Sequence, residues 1–403
     1  MSVLLPLRSL LRNRRRSLLS LAIVGLGSAI AVFVLGYVQE SRALIRQTSV
    51  DEYGNLQIAA PSLWDGDAEG YEYLIPPQTL VRIEDRLAAD PRVVASTAQL
   101  QFPGLLAAGD QTQVVRVTGI VPGNPALPGP QEVSVGRGLD PGDNAAVLMG
   151  QALADRLGVS AGSVVTLTLT TVDGAYNASP LEIVGVFRFA SEQVELQTLF
   201  LPLRYAQALL NTAGVDRMVL TLDRVSATWA TRARLQATLD ADALLLEART
   251  WDELSPFYQQ LSNLFDILFG FIALATAVLV FFIILQVLTL SFLERTREVG
   301  TVRALGVTRG GVFSMLLAEG GWLAVIGSAA GVGVGVLLSL VFNAVGIEWT
   351  PPGTVEPVTL AVSIGLSTAL APFLLGAAAA FLSAVLPASR MSRLTVVDAL
   401  RVE

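Results

Sequence analysis

Five charged side chains lie close together in a short stretch near the middle of the C-terminal half of the chain: Glu294, Arg295, Arg297, Glu298 and Arg303. Their spacing of three and four residues lets opposite charges pair along one short helix. Gly306 suits a left-handed helix C-cap, and Thr308 can cap the helix that follows. The pattern predicts an exposed helix-turn-helix elbow. Interleaved acids favour a protein groove as its partner, whereas arginines on anionic lipid headgroups remain the alternative.

Catalytic chemistry is not expected in this chain. It has no Cys and no His, and its sequence contains no Lys, so thiolate and imidazole metal ligands, an imidazole base and a phosphate-binding lysine are all excluded. The acids at Asp140 and Asp143 fit a turn better than a calcium loop. We expect no metal or cofactor in this chain and, with a net charge of −7, no nucleic-acid partner.

The composition is that of a membrane protein. Hydrophobic residues make up 52% of the 403 residues, only 15% are charged, and mean hydropathy is +0.58. Four uncharged runs are long enough to cross a bilayer: residues 18–38, 267–293, 320–347 and 357–389. A cleavable signal peptide ending near Ala29-Ile30-Ala31 is the alternative for the first run. Its 21 residues exceed a signal core of about 7–15, so we expect a retained anchor.

Arginines predict the orientation. They precede the first run, follow the second and follow the fourth, which places the N-terminus, the elbow and the C-terminus in the cytoplasm under the positive-inside rule. Residues 39–260 would then form a large extracytoplasmic domain, which contains 26 acidic residues against 15 arginines. The expected topology is multi-pass.

This large domain mixes two periodicities and is therefore predicted to be α+β. Strands are predicted at residues 55–58, 113–120, 163–170, 181–187 and 217–222, and helices at 78–89, 150–157, 203–210 and 227–239. From Phe257 a helical spacing continues into the second membrane run. One helix could therefore carry movement between the domain and the membrane.

Within the membrane runs, small residues mark a packing face. Gly327, Gly331 and Gly335 are four apart and let another helix approach closely. Pro372 is predicted to kink the fourth helix, and Gln286 could hydrogen-bond across an interface. These residues do not form a continuous polar pathway, which argues against an ion channel or a proton-coupled carrier. Two copies, or two related subunits, are expected to pack together.

Three motifs of the sequence are read together. The elbow is Glu294-Arg295-x-Arg297-Glu298-Val299-Gly300-x-x-Arg303-Ala304-Leu305-Gly306, and the C-terminal stretch is Pro387-Ala388-x-Arg390-x-x-x-Leu394-x-Val396-Val397-Asp398-Ala399-Leu400-Arg401. The third motif joins Gly136-Arg137-Gly138-Leu139 with Val147-Leu148-Met149-Gly150-x-x-Leu153-Ala154-x-x-Leu157-Gly158 and Gly162-x-x-Val165. Together they resemble FtsX-like permeases of ABC transporters of the MacB/LolC/LolE type. The elbow is the most specific of the three, the C-terminal stretch is similar to the family's ending, and the third motif is similar to its periplasmic core domain.

The resemblance implies a type VII, or mechanotransmission, permease of the bacterial cytoplasmic (inner) membrane. A separate ABC ATPase dimer would bind ATP and Mg, and the elbow would act as its coupling helix through Glu294, Arg295, Arg297, Glu298, Arg303, Leu305 and Gly306. The membrane helices would pass the movement to the outer domains, which would extrude or release a lipoprotein or another lipophilic substrate. A second permease copy or paralogue, membrane lipid, and a periplasmic adaptor or lipoprotein are the further partners that the resemblance implies.

The predicted layout is one membrane helix, a large outer domain and three more helices. Its segments are 1–17 basic leader, 18–38 helix one, 39–260 MacB-like periplasmic core domain, 261–293 helix two, 294–318 elbow, 319–347 helix three, 348–356 outer loop, 357–387 helix four and 388–403 tail. The alternatives are an FtsX-type regulator that activates a cell-wall hydrolase, a MacB-like drug or peptide exporter, and a membrane-anchored sensor. Sequence alone does not choose the substrate, or between a homodimer and a heterodimer.

Overall fold

The computed structural model describes residues 14–66, 70–124, 133–189, 192–350 and 357–395. These residues belong to two compact units. We call residues 1–43, 261–348 and 359–403 the helical unit, and residues 44–260 and 349–358 the α+β unit. Most of the basic leader, much of the predicted outer loop and the final motif residues 396–401 lie outside the described residues.

Four helices among the described residues are long and apolar enough to cross a membrane. They are α1, α9, α11 and α12, and the short helix α10 joins α9 to α11. Their bounds are α1 Arg14–Tyr53, α9 Pro256–Glu294, α10 Thr296–Ala304, α11 Arg309–Val345 and α12 Leu366–Arg393.

Helix α1 extends well beyond the predicted membrane run. Between Tyr37 and Gly54 the sequence has no Gly or Pro to end it. At Gly54 the backbone takes a φ of +73°, and its N–H bonds back to the carbonyl of Val50 at 2.8 Å. Glycine adopts this left-handed conformation at little cost, so the helix ends there.

The core of the helical unit includes a row of apolar side chains on one face of α9. Its members are buried and recur every four residues, so that they share one face of the helix. They pack with side chains of α11 such as Leu316 and with the small residues of α12 such as Ala384. The row is Val280, Ile284, Leu288 and Phe292.

The α+β unit is built on a sheet whose strands run in the order β10-β1-β9-β2-β3-β8-β5-β7-β4, with β6 pairing β2 and β7. Most pairs are antiparallel, but β3 with β8 and β5 with β7 are parallel. The strands are β1 Leu56–Ala59, β2 Val93–Ala108, β3 Gln111–Ile120, β4 Val133–Gly136, β5 Ala146–Gly150, β6 Val164–Thr170, β7 Tyr176–Phe187, β8 Thr198–Pro202, β9 Arg217–Leu222 and β10 Glu247–Thr250.

Helices of the α+β unit cover two separate apolar cores. One core lies where β1, β9 and the start of β2 meet the third and seventh helices, around Ile58 and Met218. The other lies among β2, β3 and β5 to β8 with the fourth and sixth helices, around Leu106 and Leu199. These helices are α2 Pro61–Asp65, α3 Pro77–Ala88, α4 Gln151–Leu157, α5 Glu192–Glu195, α6 Leu203–Leu210, α7 Thr228–Ala241 and α8 Trp251–Leu254. A 3-10 turn at Val225–Ala227 precedes α7, and two short strands, β11 Glu348–Trp349 and β12 Val358–Thr359, lie between α11 and α12.

Candidate coupling segment

The elbow segment, residues 294–306, is a short helix held between two long ones. Helix α9 ends at Glu294, and α10 begins two residues later. After α10, Gly306 takes a φ of +99°. The hydroxyl of Thr308 then accepts the N–H of Gly311 at 3.2 Å and caps α11. The turn glycine and the threonine cap both stand where the sequence predicts them.

Arg295 points into the helical unit. Its Nη1 donates to both carboxylate oxygens of Glu319 on α11, at 2.9 and 3.1 Å. Its Nε lies 3.3 Å from a carboxylate oxygen of Glu298. The side chains of Arg295 and Glu319 are only 16% and 11% exposed. The pairing with Glu298 follows from sequence spacing, whereas Glu319 is 24 residues away along the chain and no local spacing could identify it.

Arg303 forms a second tether. Its Nη1 donates to the backbone carbonyl of Leu394, the residue that follows α12. Near the other end of α10, Thr296 is buried beside Met391 of α12. Val299 is also buried and belongs to the core of the helical unit. One face of α10 is therefore fixed to α11 and α12.

The opposite face of the elbow is exposed. Arg297 and Glu298 are exposed on α10, and Leu305, just after it, is 82% exposed. Glu294 and Gly306 are exposed at its two ends. The predicted coupling residues thus fall into two groups. Arg295 and Arg303 point inward, whereas the outward group contains acidic and basic side chains and the large apolar side chain of Leu305. A surface of this composition can bind another protein.

The three glycines of α11 lie against α1. A β-carbon at Gly327 would lie 2.9 Å from Val24, and one at Gly335 would lie 2.8 Å from Val32. At Gly331 a β-carbon would overlap the backbone carbonyl of Gly25. Any larger residue would force the helices apart, so the backbones approach closely here.

Two other residues singled out in the membrane runs lie elsewhere. Gln286 is exposed on α9, and Pro372 is buried inside α12.

In the α+β unit, a polar joint holds the end of α1 to the sheet. Asn55 accepts the N–H of Leu222 at 2.8 Å with its side chain, and its own N–H bonds the carbonyl of Leu220 at 2.9 Å. The hydroxyls of Ser49, in α1, and Ser255, which precedes α9, are both buried and 3.3 Å apart. The ends of α1 and α9 that lie in this unit are therefore joined to each other and to its central strands.

Asp216 and Tyr73 are among the ionisable groups of this unit whose pKa values are displaced. Burial raises the pKa of the Asp216 carboxyl, which pairs with Arg217 at 2.8 Å. Burial, followed by the nearby Asp216 carboxylate, raises the pKa of Tyr73 to about 12. In the described part of the chain, no group of three or more acidic side chains is placed to hold a metal ion.

Two family models match the chain. The MacB-like periplasmic core domain covers residues 17–238, and the FtsX-like permease C-terminal domain covers residues 270–396. The four apolar helices with an α+β domain after the first of them define a multi-pass membrane protein with a periplasmic-type core domain. The chain belongs to the MacB/LolC/FtsX-like family of ABC transporter permeases, which confirms the family that the sequence motifs indicate.

Curated relatives agree with this assignment. The chain is 24% identical over 333 residues to the lipoprotein-releasing system transmembrane protein LolC of Xylella fastidiosa, covering 78% of this chain and 79% of LolC. It is 22% identical to the ABC transporter permease YknZ of Bacillus subtilis, covering 56% of this chain and 55% of YknZ. With the macrolide export ATP-binding/permease protein MacB of Neisseria meningitidis it shares 28% identity over 37% of this chain and 21% of MacB.

The periplasmic region of MacB from Actinobacillus actinomycetemcomitans is a similar solved structure. It is 14% identical and covers 53% of this chain and 96% of that structure, with a TM-score of 0.38.

Proposed function

We propose that this permease is a mechanotransmission subunit that works with a separate ABC ATPase, and that the elbow segment receives the ATPase's movement. The observation that carries the proposal is the two-sided construction of the segment. Its outward face presents Glu298 and Leu305, while its inward face is bound to α11 through Arg295 and to α12 through Arg303. Helix α9 leads directly into the segment. A force on the outward face would therefore reach α9, α11 and α12 together.

The proposed orientation puts the elbow in the cytoplasm. Arg295, Arg297 and Arg303 lie between α9 and α11, Arg309 is the first residue of α11, and Arg390 and Arg393 lie at the end of α12. Arginine-rich loops favour the cytoplasmic side. Both chain termini would then be cytoplasmic, and the α+β unit would be extracytoplasmic. ATP and Mg would bind in the ATPase.

Movement would pass outward along α1 and α9. In the helical unit, Arg42 of α1 forms an ion pair with Asp266 of α9 at 2.6 Å and also donates to the carbonyl of Ser262 at 3.4 Å. In the α+β unit, Ser49 and Ser255 join the same two helices. Because the two helices are linked at both places, we propose that they move as a pair.

A lipoprotein or another lipophilic molecule is the proposed substrate. The similarity to LolC, described as part of a lipoprotein-releasing system, extends over 78% of this chain, whereas the match to the macrolide exporter MacB covers 37%. Exposed apolar side chains on α9, including Ile267 and Phe271, offer a surface for membrane lipid or for a second permease copy. A periplasmic adaptor or acceptor lipoprotein could complete the assembly.

Reversing one outward charge tests the coupling role. Glu298→Arg should weaken association with the ATPase and lower ATP-driven activity of the purified complex by about tenfold or more, because a repulsive charge would enter the proposed interface. Asp110→Arg makes the same change in an exposed turn of the α+β unit and should have no effect. Unchanged association and activity in Glu298→Arg would show that the coupling role is wrong.

Mass spectrometry of the trapped complex tests the substrate. The complex is purified in an ATP-hydrolysis-deficient state, and co-purifying molecules are identified. A lipidated peptide is the expected result. A hydrophobic drug or an unlipidated peptide would instead favour export, and a cell-wall hydrolase without lipid or lipoprotein would favour a regulatory role.

A further inference from the structure

Glu319 is an acidic side chain in apolar surroundings. It is the only acidic residue of α11, ten residues after the helix begins, and the whole residue is 8% exposed. The next residue, Gly320, has no room for a β-carbon beside Ala384 of α12. Glu319 therefore lies next to a close contact between α11 and α12, and burial of an ionised carboxylate there requires a paired cation.

Arg295 supplies that cation from the junction between α9 and α10. It is the single residue between the end of α9 at Glu294 and the start of α10 at Thr296. Its Nη1 donates to both oxygens of Glu319, which holds the guanidinium against α11. The same guanidinium contacts Glu298, whose side chain is 53% exposed. One arginine thus connects a buried carboxylate of α11 to an outward carboxylate of α10.

We propose that Glu319 is a positioning residue for ATPase coupling. Through Arg295 it sets the direction in which α10 and Glu298 face the ATPase, and it transfers a displacement of α10 to α11. Glu319 does not touch the ATPase itself. The inference rests on the coupling role proposed for the elbow segment, and it assigns the step between the ATPase-facing surface and the membrane helices.

The first test measures the position of α10 directly. Because the chain has no Cys, spin labels can be attached at Thr301→Cys on α10 and Val345→Cys at the far end of α11, both exposed positions. In the purified full-length chain, Glu319→Gln should broaden the inter-label distance distribution. The exposed Glu348→Gln serves as the matched control and should leave the distribution narrow.

The second test separates positioning from binding. Glu319→Gln should keep ATPase association within about threefold of the unchanged chain while ATP-driven activity falls by about tenfold, since coupling between sites is typically a factor of 5 to 150. A narrow distribution with full activity in Glu319→Gln would overturn the proposal.

A second variant tests the same contact in case Glu319→Gln does not accumulate in the membrane. Arg295→Lys keeps the charge but loses the planar guanidinium, whose Nη1 binds Glu319 while its Nε contacts Glu298. It should broaden the distance distribution and lower activity to an intermediate level, and unchanged values for both would overturn the proposal. Failure of the coupling role looks different, because Glu298→Arg would then leave ATPase association unchanged whatever the result at Glu319.

Discussion

The backbone of Gly331 in α11 lies directly against the backbone of Gly25 in α1, so closely that a β-carbon at Gly331 would overlap the Gly25 carbonyl. Gly331→Ala should therefore separate the two helices and lower the stability of the detergent-solubilised chain by about 1–3 kcal/mol, the usual cost of overpacking. Thermal unfolding followed by intrinsic fluorescence measures the change.

Gly333 provides the matched control for that prediction. It lies two residues further along the same helix, and a β-carbon there would meet nothing within 4 Å. Gly333→Ala should leave the midpoint temperature of thermal unfolding unchanged or raise it slightly, because alanine favours a helix more than glycine does. Equal midpoints for the two variants would contradict the close approach of α1 and α11.

Gly306 is expected to fix the shape of the elbow through its backbone. Its φ of +99° is unfavourable for a residue with a side chain, although nothing lies within 4 Å of its β-carbon position. Gly306→Ala should cost about 1–2 kcal/mol and reduce ATP-driven activity. Gly310→Ala, in the helical start of α11 and equally uncrowded, is the control. If both substitutions lower activity alike, backbone strain at Gly306 is not the cause.

Asn55 should be the most sensitive polar residue of the joint between α1 and the sheet. Asn55→Ala removes the acceptor of the buried Leu222 N–H, and an unsatisfied buried donor costs about 1–3 kcal/mol. Chemical denaturation of the full chain, followed by tryptophan fluorescence, would report the loss. Asn144→Ala changes an exposed asparagine in the same unit and should be neutral; comparable losses in both variants would argue against a structural role for the joint.

The ion pair between Arg137 and Asp143 predicts a pH effect. The Arg137 side chain, which donates at 2.7 and 2.8 Å, lowers the pKa of the Asp143 carboxyl. The pair's contribution to stability is present above the ordinary aspartate pKa of about 3.9, and it is lost as the pH falls through the lowered pKa. Asp143→Asn should therefore lower the unfolding midpoint at pH 7, and the difference should disappear in acid. A constant difference across this range would contradict the assignment.

Much of the helical architecture could be predicted from the sequence because its signals are local. Four uncharged runs predict the four long helices, and the predicted helices at 78–89 and 203–210 agree with α3 and α6 within a residue. The predicted strands at 113–120, 163–170 and 217–222 correspond to β3, β6 and β9. These segments show clear periodicity or are bounded by residues that end a helix or strand.

The strands that the sequence did not predict lack such signals. β2 carries Pro103 and Gly104 in its interior, two residues that normally argue against a strand. β5 and β8 are five-residue strands buried on both faces, so they show no alternation, and each leads directly into a helix. Their assignment depends on neighbours far away in the chain.

The candidate site was predictable on its outward face only. Exposed charges such as Glu298 and the turn at Gly306 follow from local spacing. The inward tethers do not, because Arg295 meets Glu319 and Arg303 meets the carbonyl of Leu394 through tertiary packing of α10 on α11 and α12. Predicting these contacts requires knowing which faces of the helices meet.

Site-specific crosslinking at Leu305 tests the central claim most directly. The chain has no Cys, so Leu305→Cys carries a single photo-reactive label at an 82% exposed position of the elbow. Leu245→Cys, 90% exposed in the α+β unit, is the control. On illumination of native membranes, the label at Leu305 should crosslink to an ABC ATPase identified by mass spectrometry, and the label at Leu245 should not. Absence of an ATPase crosslink from Leu305, or an equal crosslink from Leu245, would contradict the account.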